Sequence, residues 1–192
     1  MAVTVNDVFK LAMALCEGLN DGNEITDDEY TNYCAQKAVS LCHICQNEIL
    51  SFRPLIQAIE IDCSEEPLEN SGNIKIYSLN KPVEYILEYH SENGSLPFDI
   101  SVKGNKVYIP ESYKGKIIFV CSVLASPLVS MQSVINAEET IALELMPLYL
   151  AANFLLEENP SRSEWYLSTY INARNRLKKE QTSIEEISDV YK

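Results

Sequence analysis

Apolar side chains recur at helical spacing from Val8 to Phe52, alternate with polar ones through most of the stretch from Ile74 to Val123, and return to helical spacing from Ile141 to Leu177. This change of period predicts helices, then strands, then helices again. The first helix starts at Thr4, which can cap it, with Asp7 at the third helical position and Val3 and Val8 as an apolar staple. Its apolar positions Val8, Leu11, Ala12, Leu15 and Leu19 lead to a turn at Asn20-Asp21-Gly22-Asn23. The second helix starts with a capping box, Thr26 with Glu29, stapled by Ile25 and Tyr30. Its apolar face reads Tyr30, Cys34, Ala38, Leu41, Cys42, Cys45, Ile49 and Phe52, until Pro54 ends or bends it.

Residues 62–73 read as a polar loop. Ile74-Lys75-Ile76-Tyr77 is a short strand. Val83, Tyr85, Leu87 and Tyr89 alternate with polar residues and predict a half-buried strand. Ser91-Glu92-Asn93-Gly94 is a turn. Phe98, Ile100 and Val102 alternate up to Gly104-Asn105, and Val107-Tyr108-Ile109 follows, which predicts a hairpin with a two-residue loop. Lys116 to Val123 is a nearly continuous apolar strand. Residues 74–123 are thus expected to form four or five strands, ended by Pro127.

Asn136 with Glu139 can cap a third helix, Ala137 to Glu158, that is apolar on nearly all sides and is kinked at Pro147. Asn159-Pro160 breaks the chain. Ser161 and Glu164 form another capping box, and Tyr166, Tyr170, Ala173 and Leu177 line the inner face of the helix that follows. Ser183 and Glu186 can cap a last short helix, Ile184 to Tyr191. The fold class is α+β: a helical core, made of two N-terminal helices, a kinked helix and a C-terminal helix, with a small antiparallel β-sheet unit inserted. The expected boundaries are 1–61 for the N-terminal helical hairpin, 62–127 for the β unit, 128–181 for the C-terminal helical pair and 182–192 for a C-terminal segment.

Composition narrows the function classes. The chain has 192 residues, 46% of them hydrophobic, which suits a globular protein with a sizeable core. Lys and Arg number 15 against 28 Asp and Glu, a formal charge of −13. Affinity for nucleic acid comes mainly from cations on phosphates, so a groove-reading DNA binder is not expected, and neither is binding to an anionic membrane surface. Residues 1–7 lack a basic stretch leading into an apolar run, so no secretory signal is expected. The six cysteines are then expected to be thiols in a reducing cytosol.

Cys42-His43-Ile44-Cys45 is the motif that invites chemistry, as a redox pair or half a zinc site. It lies well inside a predicted helix, away from the N-terminus that would lower a thiol pKa. Gln46 stands where haem attachment needs a histidine, and no second CxxC or HxxxH supplies further zinc ligands. Cys34, Cys42 and Cys45 fall on the apolar stripe, where cysteine behaves as a small hydrophobe. His43 and His90 have no nucleophile partner visible in the sequence. The carboxylate pairs read as solvated surface, although Glu157-Glu158 sits at a helix end that disfavours negative charge. No catalytic residue, metal or cofactor is expected. Trp165, off the inner face, is either a staple on Pro160 or an interface anchor. Arg174, Arg176, Lys178 and Lys179 form the dense basic run, read either as cations favoured near a helix C-terminus or as a contact to an acidic neighbour.

Thr4-Val5-Asn6-Asp7-Val8-Phe9 with Ala12-Met13-Ala14-Leu15, the helix turn from Leu145-Met146-Pro147-Leu148-Tyr149-Leu150-Ala151-Ala152 to Leu155-Leu156-Glu157-Glu158-Asn159-Pro160, and the closing stretch Tyr166 to Leu177 together resemble the head–tail connector (adaptor) proteins of phages of Firmicutes. The β unit ending in Lys116 to Val123 is similar to the sheet inserted in the same group. The resemblance implies a non-enzymatic virion structural protein, made in the bacterial cytoplasm, that forms a homo-oligomeric ring between portal and tail. Its partners would be copies of itself, the portal protein and other neck or tail proteins, with DNA passing an acidic lumen without specific binding. Trp165, Tyr166, Arg174, Arg176, Ile184, Ile187 and Tyr191 are the candidate interface residues, and the segment Glu180 to Lys192 is a candidate for folding on binding. The alternatives are another neck or tail protein, such as a tail terminator, and a cytosolic redox or metal protein using the CxxC thiols.

Overall fold

The structure, a computed structural model, describes residues 2–19, 22, 24–92 and 94–190, and the side chains among them as far as Lys179. It is an α+β fold with the elements α1 (Val5–Leu15), α2 (Glu29–Leu50), β1 (Ile56–Asp62), β2 (Glu69–Ser71), β3 (Ile74–Ser78), β4 (Val83–Ser91), β5 (Ser101–Lys103), β6 (Lys106–Pro110), β7 (Lys116–Val123), α3 (Glu139–Phe154) and α4 (Pro160–Val190). Residues 1–53 and 126–192 make one compact unit, and residues 54–125 make the other. The β unit therefore begins earlier than the expected 62, because the stretch before the polar loop is a strand and not the end of a helical hairpin.

In the helical unit α3 is the central element. Leu145, Met146 and Leu150 are fully buried, each worth roughly 1.5–3 kcal/mol of transfer from water. That exceeds what any single cap contributes, so packing around α3 holds this unit together. Phe9 of α1 meets Phe154 of α3 edge to face, with ring centroids 6.0 Å apart. Cys34, Ala38, Cys42, Cys45 and Ile49 give α2 the buried face that their spacing predicts. Pro147 lies inside α3 and is itself buried.

The helix ends depart from expectation in several places. Thr4 and Asp7 form the capping box of α1 as read from the sequence. The helix stops at Leu15, short of Leu19, and buries Val5, Val8, Phe9, Ala12 and Met13, leaving Leu11 exposed. Gly18 N–H donates to Met13 O at 2.8 Å and Glu17 N–H to Ala14 O at 3.3 Å. Such a pair of bonds closes a helix when the residue just past its end is left-handed. That residue is Glu17, at φ 63°. The cap of α2 is Asp28, whose carboxylate accepts from Thr31 N–H at 2.7 Å, and not Thr26. Thr26 is engaged by the loop before it, donating from N–H and hydroxyl to Gly18 O.

Asn136 does not cap α3. Its N–H is taken by Gln46 Oε1 of α2 at 2.8 Å, and the helix begins at Glu139 and ends at Phe154. The segment leading to it also serves α1: Met131 O and Ser133 O accept from Asn6 and Val5 N–H, two donors that a helix start leaves unpaired. Ser161 does not cap α4 either. Asn159 does, its side chain accepting from Arg162 N–H at 3.2 Å, with Pro160 at the first helical position. The expected separate helix from Ile184 is the continuation of α4, since nothing from Ser161 to Val190 is Gly or Pro. The side chains of Ile184 and Ile187, and all of Tyr191, lie outside the described residues.

The β unit holds two antiparallel sheets, ordered β1-β7-β4 and β2-β3-β6-β5. Its core draws on both: Ile59 and Ile61 of β1, Ile117, Phe119 and Cys121 of β7, Tyr77 of β3, and Val107 and Ile109 of β6. Two strands escape the sequence reading, β1 and the three-residue β2 inside the polar loop. Gly104-Asn105 makes the two-residue loop between β5 and β6, with Gly104 at φ 59°. β4 breaks the simple alternation. Register shifts after Val83 and after Ile86 each insert a residue, so Val83, Ile86 and Tyr89 turn toward the core while Tyr85 and Leu87 are exposed.

Candidate functional site

Cys42 and Cys45, the strongest chemical motif in the sequence, sit on the inner face of α2 with no solvent exposure. Burial pushes both thiols up to about 12. Nucleophilic and metal-binding cysteines need the reverse, a thiolate favoured near neutral pH. Among the described residues, no three His, Cys, Asp or Glu side chains gather into a set that could hold a metal.

Cys45 instead begins a partly buried polar chain. Its Sγ lies 3.7 Å from the Tyr170 hydroxyl, which donates to Glu48 Oε2 at 2.5 Å, and Arg174 Nη1 pairs with Glu48 Oε1. Burial acts to raise the Glu48 carboxyl, but the bonds from Tyr170 and Arg174 outweigh it and hold the group below its ordinary value. Burial also pushes the Tyr170 hydroxyl up, so it stays a neutral donor. The arrangement joins α2 to α4 through a neutral donor and a paired charge.

The basic run does not mark a helix end. α4 continues to Val190, so Arg174 and Arg176 lie in mid-helix. Arg174 is turned inward, its side chain only 23% exposed. Arg176 pairs with Glu144 of α3 at 2.6 Å and stays largely exposed. Lys178 lies over the ring of Phe52, 5.1 Å from its centroid.

The first turns of α4 carry the exposed aromatic. Trp165 is 61% exposed and stacks edge to face on Tyr166, with ring centroids 4.9 Å apart. Tyr166 is buried, and its hydroxyl donates to Leu15 O at 2.9 Å. It supports Trp165 and presents little surface of its own. Arg162 completes the corner, donating from Nη2 to Leu15 O at 2.8 Å and from Nη1 to Glu17 Oε1 at 2.9 Å. Arg162 is absent from the residues singled out by sequence. The signal available was its place one turn before Tyr166, on the same helix face.

A groove of about 640 Å³ opens between the start of α2 and the end of α3. Tyr30, Tyr33, Leu41 and Leu156 give it an apolar lining, and Leu156 is 61% exposed. Glu29, Glu157 and Glu158 face it with Lys37 as the cation, and Lys37 is engaged by the Tyr33 hydroxyl. An apolar lining with a carboxylate rim suits a protein segment bearing Lys or Arg next to apolar side chains.

Among the described residues, no helix is long and apolar enough to cross a membrane. Set against known proteins, the sequence matches no protein-family model and no curated protein.

Proposed function

We propose that this protein is a non-enzymatic structural subunit of a phage virion: a ring-forming head–tail connector that joins the portal to the tail. The observation that carries the reading is Trp165, largely exposed yet held against a buried Tyr166 that is itself anchored to α1. An exposed aromatic on a rigid support loses little conformational freedom when it docks, which is what an assembly contact requires. The acidic groove between the start of α2 and the end of α3 offers a second contact of opposite character. The formal charge of −13 suits a lumen that DNA crosses without being gripped. The inward-facing, protonated thiols favour this reading over redox or metal chemistry at Cys42 and Cys45.

Quantitative mass spectrometry of purified phage particles tests it. Low-copy, stoichiometric presence beside the portal is expected, and Trp165→Ala is expected to give a folded subunit that enters particles poorly. Absence from intact particles, with abundance in the lysate, overturns the proposal.

A further inference from the structure

The β unit leaves a seam between its two sheets. β4 pairs with β7 alone and β5 with β6 alone, so each is the edge of its sheet. The two edges flank one groove of about 630 Å³, lined by Val83, Ile86 and Tyr89 from β4 and by Ile100 and Val102 from β5 and the residue before it. Both ends are tied. Asn105 Oδ1 accepts from Val83 N–H at 3.2 Å, and the Tyr89 hydroxyl accepts from Ile100 N–H at 3.5 Å. Val83 thus lies near Asn105 and Tyr89 near Ile100, so the two edges run antiparallel across the groove.

We propose that this groove receives an extended, basic segment of a different protein, which adds as a strand along β4. An exposed strand edge offers a row of backbone donors and acceptors to such a segment, and apolar pockets between them select its side chains. β4 is long and carries no Lys, Arg or Pro that would discourage pairing. Its two register shifts restrict the partner to a strand that fits the altered spacing.

Charge selects the occupant. The charged side chains lining the groove are Glu84 and Glu88. A segment with Lys or Arg at alternate positions would meet both, with its apolar residues turned to Ile86, Ile100 and Val102. A second copy of this chain is a poor match. Its edge strands are β1, which carries Glu60 and Asp62, β2, which carries Glu69, β4 itself with Glu84 and Glu88, and β5, which is only three residues long with the single cation Lys103. Such a groove would work in the same way whether or not the chain sits in a virion.

The test uses the full chain and a blocked Lys-Val-Lys-Val-Lys-Val peptide. Hydrogen–deuterium exchange should show new protection confined to residues 83–91 and 98–103. A Glu-Val-Glu-Val-Glu-Val peptide should not bind, and neither should the Lys-Val peptide with alternate backbone nitrogens methylated. Glu88→Lys should weaken binding about tenfold and leave the thermal midpoint unchanged. Absence of binding, protection elsewhere, or equal binding of the methylated peptide overturns the proposal. So does protection of β4 that grows with protein concentration when no peptide is present, which would make the occupant a second copy.

Discussion

The carbonyl of Leu15, at the end of α1, is held by Arg162 from the first turns of α4, Nη2 to oxygen at 2.8 Å. The last carbonyls of a helix have no partner within it. Here one of them takes two donors from another helix, because the Tyr166 hydroxyl reaches the same oxygen at 2.9 Å. Tyr166→Phe should cost about 1 kcal/mol, read as a lower urea midpoint at unchanged slope. Arg162→Lys should also destabilise, because an ammonium cannot reach Leu15 and Glu17 with one planar fork. An unchanged midpoint in both variants would show that packing alone fixes this corner.

Glu48 makes stability depend on pH in one direction. Its carboxyl lies below the ordinary value of 4.5 in the folded protein. A lowered pKa stabilises the fold above the unfolded value, and the contribution is lost as pH falls through the folded value. Glu48→Gln should therefore lower the thermal midpoint at pH 7, and the difference from the parent should shrink as the pH drops below 4.5. A difference that is constant across that range would remove Glu48 as its source.

The buried thiols predict silence in the native state. A thiol reagent at neutral pH should modify Cys42 and Cys45 only as fast as the protein unfolds. Cys42→Ser should cost about 1–3 kcal/mol, because it buries a hydroxyl with no partner. Fast native labelling of either thiol would reopen the redox reading.

Two left-handed residues behave in opposite ways. Gly104 holds φ 59° in the β5–β6 loop, and Gly104→Ala should destabilise the protein by on the order of 1–2 kcal/mol. Glu17 holds φ 63° with a side chain that disfavours it. Glu17→Gly should relieve that strain while losing the exposed pair with Arg162, which is worth little in water. A higher thermal midpoint for Glu17→Gly is the expected result.

Much of the fold is legible in the sequence because periodicity reports which residues face a core. The stripe on α2, the apolar β7 and the Gly104-Asn105 hairpin all follow from local spacing. What stays hidden depends on partners distant in sequence. Thr26 looks like a cap, but Gly18 draws it into a loop. Asn136 looks like a cap, but its N–H goes to Gln46. β2 is three polar residues and carries no strand signature before its pairing is known. β1, although missing from the expected strands, does alternate, with Ile59, Ile61 and Cys63 apolar around Glu60 and Asp62, so it is legible in the spacing. Among the candidate interface residues, spacing places Trp165 off the inner face, and it is exposed. Spacing also sets Arg174 one turn after Tyr170, beside the inner face, but it could not supply the partner that turns it inward, because Glu48 lies on another helix.

The bond from Arg162 to Leu15 spans 147 positions of chain. Between them lies the whole β unit, residues 54–125, which is continuous in sequence. Synthesis from the N-terminus therefore completes the β unit while α1 and α2 still await the helix they pack around. A nascent chain stalled soon after residue 125 should carry a finished sheet core and an unfinished helical one. Such a chain would expose the apolar faces of α1 and α2 to any chaperone at the ribosome, and they would close only once α3 and Arg162 had been made.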